Sequence, residues 1–219
     1  MQIRKIFMST SKYNELLHFY NHDLELEAET ATGSFMIRCG KTQIHFNKAN
    51  DSSHPFYHFA INIPYNKVEE GGEWIRKHAE LIWIEDYQSE VAEFSNWKAR
   101  SVYFIDPGGN IVELIGRKNF REDSPGGFHS GDLLAVSEIG IVYPAADFHI
   151  KVEALKKKLD LDYFSKQPPL PSFVALGNDE GLFILAPENR PWYPTKINSG
   201  IFPLKVEIII RGKTYIEEF

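Results

Sequence analysis

Cysteine is all but absent: of 219 residues only Cys39 carries a thiol. A single cysteine excludes an intrachain disulfide framework and any multi-cysteine zinc or iron–sulfur cluster, and it suits a reducing compartment. Its setting in Phe35-Met36-Ile37-Arg38-Cys39 marks it as a buried structural residue rather than a nucleophile. An excess of basic charge is missing too. Against 30 Asp+Glu stand 24 Lys+Arg, a formal net charge of −6. That balance argues against nucleic acid or an anionic membrane as the main partner and leaves a small molecule or a protein. No run of ~18 consecutive apolar residues occurs, and Met1-Gln2-Ile3-Arg4-Lys5-Ile6 lacks the apolar segment of a signal peptide; a cytoplasmic location is therefore expected. There is no Gly-x-Ser-x-Gly elbow, and Gly108-Gly109 and Gly126-Gly127 fit no Walker or dinucleotide pattern.

What is present is a globular composition, 43% hydrophobic and 14% aromatic, in a chain long enough to bury about 70% of its unfolded surface. Its patterning repeats. Residues 3–8 alternate as a half-buried strand, Ser9, Thr10 and Ser11 offer N-caps, and Tyr13, Leu16, Leu17 and Tyr20 share a helical face. Strands are expected at 25–30, 34–39 and 42–47, divided by Gly33 and Gly40-Lys41. After the turn formers Asn50-Asp51-Ser52-Ser53 the order recurs: a strand at 57–63, a helix carrying Val68, Gly71, Trp74, Ile75 and His78, and strands at 81–84, 100–105 and 111–115. The last two are joined by Asp106-Pro107-Gly108-Gly109-Asn110, strong turn chemistry between two hydrophobic runs.

Residues 119–132, with Pro125, Gly126, Gly127 and Gly131, read as a linker. A third unit follows: a strand at 136–143, a helix at 146–159, strands at 162–165, 173–176 and 182–185. A final strand at 204–210 opens a fourth unit, for which 211–219 leaves too little chain. The expectation is an α+β fold of repeated βαβββ units pairing into curved mixed sheets that enclose a cleft. Residues 1–50 and 51–118 would form that cleft, with 133–219 an incomplete partner that is structural, a lid or an oligomer surface, a homodimer included.

The segments His18-Phe19-Tyr20-Asn21-His22-Asp23-Leu24-Glu25-Leu26 and Tyr103-Phe104-Ile105-Asp106-Pro107-Gly108-Gly109-Asn110-Ile111-Val112-Glu113-Leu114 resemble two signatures of the vicinal oxygen chelate superfamily. These are its "FY…LG" segment and its "F-x-D-P-D-G-N-x-x-E-L" hairpin. The superfamily includes glyoxalase I, extradiol dioxygenases, and fosfomycin- and bleomycin-resistance proteins. The resemblance covers the repeated units of the whole chain. It implies fold more strongly than reaction, because one scaffold serves several chemistries. It also implies a divalent metal held by the first and last strands of two paired units. Glu113 matches the hairpin glutamate and His58 the histidine opening the second unit. His45 falls where many members have glutamate, and Lys5 departs from the family by standing at the usual His or Gln position, with no lone pair to offer a metal.

Strand parity supports part of this set. His58 shares a face with Ala60 and Asn62, and His45 shares one with Gln43 and Asn47, in each case opposite apolar residues. Glu113 shares its face with Ile111 and Ile115, where a carboxylate is costly unless paired or metal-bound. His45, His58 and Glu113 would make a two-His-one-carboxylate set with open coordination positions for Fe, Ni, Mn or Zn, and Glu113 could serve as catalytic base. His54, four residues before His58, is about 13 Å away along an extended chain and does not join it. Glu138 stands where the third unit would place an opening ligand, yet the end of that unit, Phe183-Ile184-Leu185, is apolar, and Glu207 is isolated. Trp83, Tyr87, Phe94, Trp97 and Tyr103 could line an apolar pocket beside the hairpin.

Two functions follow. One is a metal-dependent lyase, isomerase or ring-cleaving dioxygenase acting on a small substrate with vicinal oxygens. The other is a metal-free binding protein of the bleomycin-resistance type, in which Lys5 pairs with Glu113 and the cleft takes an aromatic or cationic ligand.

Overall fold

A computed structural model describes residues 1–49, 54–118, 120 and 123–219. The turn cluster at 50–53 and linker residues 119, 121 and 122 lie outside the described residues. The first unit is β1 (Gln2–Thr10), α1 (Tyr13–His18) continuing into a π-helical turn (Phe19–Asp23), β2 (Ala28–Ala31), β3 (Ser34–Cys39) and β4 (Thr42–Lys48). The second is β5 (His58–Ile63), α2 (Val68–Arg76), β6 (Val91–Phe94), β7 (Ala99–Ile105) and β8 (Ile111–Arg117). The third holds β9 (Ala135–Tyr143), α3 (Phe148–Leu159), β10 (Val174–Asn178) and β11 (Gly181–Pro187), and β12 (Lys205–Ile210) with β13 (Lys213–Glu218) completes the chain.

These strands form two mixed sheets, ordered β13-β12-β1-β4-β3-β2 (sheet A) and β10-β11-β9-β5-β8-β7-β6 (sheet B). The α+β architecture of repeated units therefore stands, but the units pair differently from the expectation. Residues 1–50 and 51–118 do not close one cleft. Unit one adds the terminal hairpin β12–β13 through β1, and unit two joins unit three through the antiparallel pair β5/β9. Local patterning specifies each strand; it leaves open which unit's first strand meets which, because every unit offers the same kind of edge.

Three local differences have local causes. The strand after α2 is β6, not 81–84, whose Leu81 and Ile84 make only isolated bridges. Tyr163 likewise makes a single bridge rather than a strand at 162–165. Beyond β12 the chain does continue the sheet, because Arg211 and Gly212 both take positive φ (49° and 79°) and turn it into β13.

The family-like motifs act on each other. Asp106 is buried at the head of the β7–β8 turn, where Oδ1 accepts from the Gly108 and Asn110 amides (2.9 and 3.0 Å) and Oδ2 from Asn110 Nδ2 (2.8 Å). The Tyr20 hydroxyl donates to Oδ2 at 2.7 Å, and Asn110 Oδ1 accepts from the Tyr57 amide at 2.9 Å. A Cβ on Gly108 would meet Leu16 Cδ1 at 2.8 Å, so glycine lets the turn abut α1 without displacing Leu16. These signatures fasten unit one to unit two; they build the fold rather than the site.

Between the sheets lies one continuous apolar core containing Ile6, Met8, Phe46, Phe59, Ile139, Phe183 and Val206. Thr42 bridges the sheets, donating to the Ile3 carbonyl (2.8 Å) and accepting from the Val136 amide (3.0 Å). Cys39 is fully buried there, and burial pushes its thiol up to about 12, as a structural cysteine requires. No helix among the described residues is long and apolar enough to cross a membrane.

Candidate metal centre

In sheet B, Ala60 of β5 has Glu113 of β8 as its ladder partner on one side and Glu138 of β9 on the other. The two carboxylates thus occupy one row, separated by a methyl group. His58, two residues before Ala60, shares its face. The outcome is a buried group in which single donor atoms of His58, Glu113 and Glu138 all lie within 4.8 Å of one another. Their exposures are 6%, 3% and 3%.

His58 is held neutral. Burial first, and the charge of Arg190 in addition, lower its pKa to about 4, against the opposing contact with Ile111. Nδ1 lies 3.1 Å from the Ile111 carbonyl, so Nδ1 carries the proton and Nε2 presents its lone pair. That Nε2 is 3.9 Å from Glu113 Oε2, too far for a hydrogen bond. Burial raises the pKa of Glu113, and the neighbouring Glu138 raises it further. Glu138 is raised by burial too, but it is answered by Arg117, whose Nη2 donates to Glu138 Oε1. Arg117 is itself fixed by Asn62 Oδ1 at 3.1 Å and lies 3.5 Å from Asp179. Of the two buried acids only Glu138 has an arginine paired to it, and a neutral imidazole with two carboxylates is a donor set suited to a divalent cation. The residues therefore fit such an ion.

The cluster opens into a cavity of about 240 Å³ whose walls include Phe94, Trp97, Tyr103, Phe173, Trp192 and Tyr193. Three of the five aromatic residues picked out from the sequence line it; Trp83 and Tyr87 are instead exposed, at 52% and 37%. Segments 165–173 and 188–199 cover the face, which explains why β5 and β8 are buried on both sides.

His58 and Glu113 thus come together, whereas His45 does not join them. It sits on β4 of sheet A, stacked on Phe7 at 4.4 Å, where burial and Lys5 lower its pKa. Lys5 does not reach Glu113: it is the ladder partner of Glu207 and pairs with it at 3.1 Å. The third side chain of the group is Glu138. Its signal in the sequence equals that of Glu113, a carboxylate in an otherwise apolar strand. The apolar end of unit three, with Ile184 lining the same cavity, hid it, since three donors suffice without a fourth. Arg117, Arg190 and Trp192 carried no periodic signal. A separate group nearer the surface, His18, His22 and Asp23, lies where α1 runs into the π-helical turn.

No protein-family model matches the chain, and no curated protein sequence matches it. Solved structures do. A proposed dioxygenase from Bacillus subtilis superposes with TM-score 0.59 at 15% identity, over 85% of this chain and 63% of that one. Glyoxalase I from Zea mays gives 0.54 at 12% identity, over 85% and 66%, and its V278E mutant 0.56 at 12%, over 90% and 70%. The fold is that of the vicinal oxygen chelate superfamily. The chain spans just under two thirds of the length of the Bacillus structure. At these identities the likeness establishes the vicinal oxygen chelate fold and leaves the chemistry to the site.

Proposed function

We propose that the protein is a metal-dependent enzyme, a lyase, isomerase or ring-cleaving dioxygenase, acting on a small substrate with adjacent oxygens. The observation that carries this reading is the convergence of His58 Nε2, Glu113 and Glu138 in one buried row at the base of an aromatic cavity. These three residues would hold the ion, taken from Fe, Ni, Mn or Zn. When bound, such an ion supplies Lewis-acid polarisation of substrate oxygens or redox chemistry toward dioxygen.

The chain's own residues do the rest. His58 remains neutral with its tautomer fixed by Ile111. Arg117 pairs with Glu138 and orients it. Glu113, lacking such a partner and raised in pKa, is the group able to take a proton from substrate and return it near neutral pH. The aromatic walls exclude water around that transfer.

Elemental analysis of protein purified without chelator, on wild type, His58→Ala and Glu138→Gln, tests the reading. His22→Ala serves as the control for adventitious binding at the exposed His18 group. One equivalent of a transition metal, lost in the first two variants and kept in the third, is expected. Wild type holding well below one equivalent after metal is added back overturns it. The ion pair Arg117–Glu138 supports a second reading, a metal-free binding protein, since it balances one acid without a cation while Glu113 retains its proton.

A further inference from the structure

A further charged side chain faces the same cavity. Arg190 lines it from the segment joining β11 to β12. Its guanidinium lies 5.2 Å over the Phe173 ring, and Nη1 donates to the Pro191 carbonyl at 3.3 Å. Among the described residues no carboxylate lies within 4.0 Å of it. The other arginine of the pocket region, Arg117, is committed to Glu138, Asn62 and Asp179. Arg190 is half-buried, and burial alone depresses its pKa, with no acid restoring it. An arginine partly stripped of water and left without an anion is a costly arrangement, and it is one that an anionic ligand would relieve.

The aromatic walls of the cavity select what carries that anion. A cavity of about 240 Å³ exceeds the roughly 150 Å³ that accommodates benzene, and its walls offer edge and face contacts to a flat ring. Aromatic walls also attract cations, but a cationic guest there would meet the charge of Arg190, which an anionic guest instead satisfies. We propose that Arg190 is the recognition residue for an aryl carboxylate, whose carboxylate pairs with the guanidinium and whose ring lies between Trp97, Tyr103 and Trp192. The position of the ring's oxygen substituents, toward His58 and Glu113, rests on the metal-site reading above; the pairing with Arg190 does not.

Trp97 and Trp192 provide the signal for the test, fluorescence titration of metal-free and metal-loaded protein with 3,4-dihydroxybenzoate, its methyl ester and benzoate. The acid and the ester differ only in the charge offered to Arg190. Wild type is expected to bind the acid about tenfold or more tightly than the ester, as a charge-assisted bidentate pair would give. Arg190→Gln should erase that preference while leaving ester affinity in place, and Arg190→Lys should restore part of it. Equal binding of acid and ester by wild type overturns the proposal, as does a preference that survives in Arg190→Gln. Should Arg190→Gln fail to fold, the acid-to-ester ratio of wild type and its weakening by salt decide alone. The two readings fail separately. If metal leaves 3,4-dihydroxybenzoate binding unchanged while benzoate still needs Arg190, the metal site falls and the anion site stands; if metal tightens acid and ester alike with no difference between them, the reverse holds.

Discussion

Lys5 and Glu207 are direct partners across the β1/β12 ladder, and their side chains pair at 3.1 Å. They stand on the opening strands of units one and four, as His58 and Glu138 stand on those of units two and three. Where sheet B gathers three buried donors, sheet A has a neutralised, partly exposed ion pair beside His45. Metal binding should therefore be indifferent to sheet A. His45→Ala is expected to retain one equivalent of metal and wild-type affinity, whereas Glu113→Gln and Glu138→Gln lower affinity by at least tenfold, read by competition with a chromophoric chelator.

Ala60 offers a test that touches no ligand. It lies between Glu113 and Glu138 in the same row and is fully buried. Ala60→Leu would fill the space the donors share, so it should abolish metal uptake. Overpacking at such a position costs about 1–3 kcal/mol, so a folded but metal-free variant is the expected product. Normal loading of Ala60→Leu would remove this row as the site.

The acids and the imidazole give the metal-free protein opposing pH dependences. Glu113 binds its proton more tightly folded than unfolded, so its contribution to stability declines as pH rises from the ordinary carboxylate range toward its raised folded value. His58 behaves oppositely: with a folded pKa of about 4 against about 6.5 when unfolded, stability is lost as pH falls through that window. Measured against the Glu113→Gln/His58→Gln double variant, in which the titrations of Glu138 and Asp106 are held in common, Glu113→Gln should lose about 3 kcal/mol more on acidification from pH 6.5 to 4 in urea unfolding. His58→Gln should lack this loss.

Much of this was legible in the sequence, and the part that was not has one cause. Strands, helices and the 106–110 turn follow from alternation, helical spacing and turn chemistry, all of them local. So does the buried status of Glu113 between Ile111 and Ile115. The sequence groups His45 with His58 and Glu113 where the structure gathers Glu138, because which side chains meet depends on which units share a sheet, and that is decided by long-range pairing between edges of similar composition. Arg190 belongs to an irregular segment, where side-chain direction follows no period.

Tyr20→Phe should expose the weight of the inter-unit clasp. The lost hydroxyl leaves buried Asp106, already pushed up to about 6 by burial, with one donor fewer. A loss of about 1–3 kcal/mol is expected in denaturant unfolding, with metal content unchanged because the clasp lies outside the cavity.

Gly40→Ala should be worse than its size suggests. Gly40 has φ +52°, and a Cβ there would meet the Leu134 carbonyl oxygen at 2.1 Å, at the point where the Lys41 amide donates to that same oxygen. Loss of about 2 kcal/mol or more, with altered contact between the sheets, is expected by thermal unfolding.

The strand orders also impose a sequence of events on synthesis. All strands of sheet B lie between residues 58 and 187, so the donor row and most of its cavity can assemble while the final hairpin has yet to emerge. Sheet A, by contrast, leaves the far edge of β1 unpaired until β12 arrives some two hundred residues later. During that interval the nascent chain carries an open strand edge on one side and a nearly finished cavity on the other, which makes β1 the segment where a chaperone would be most needed.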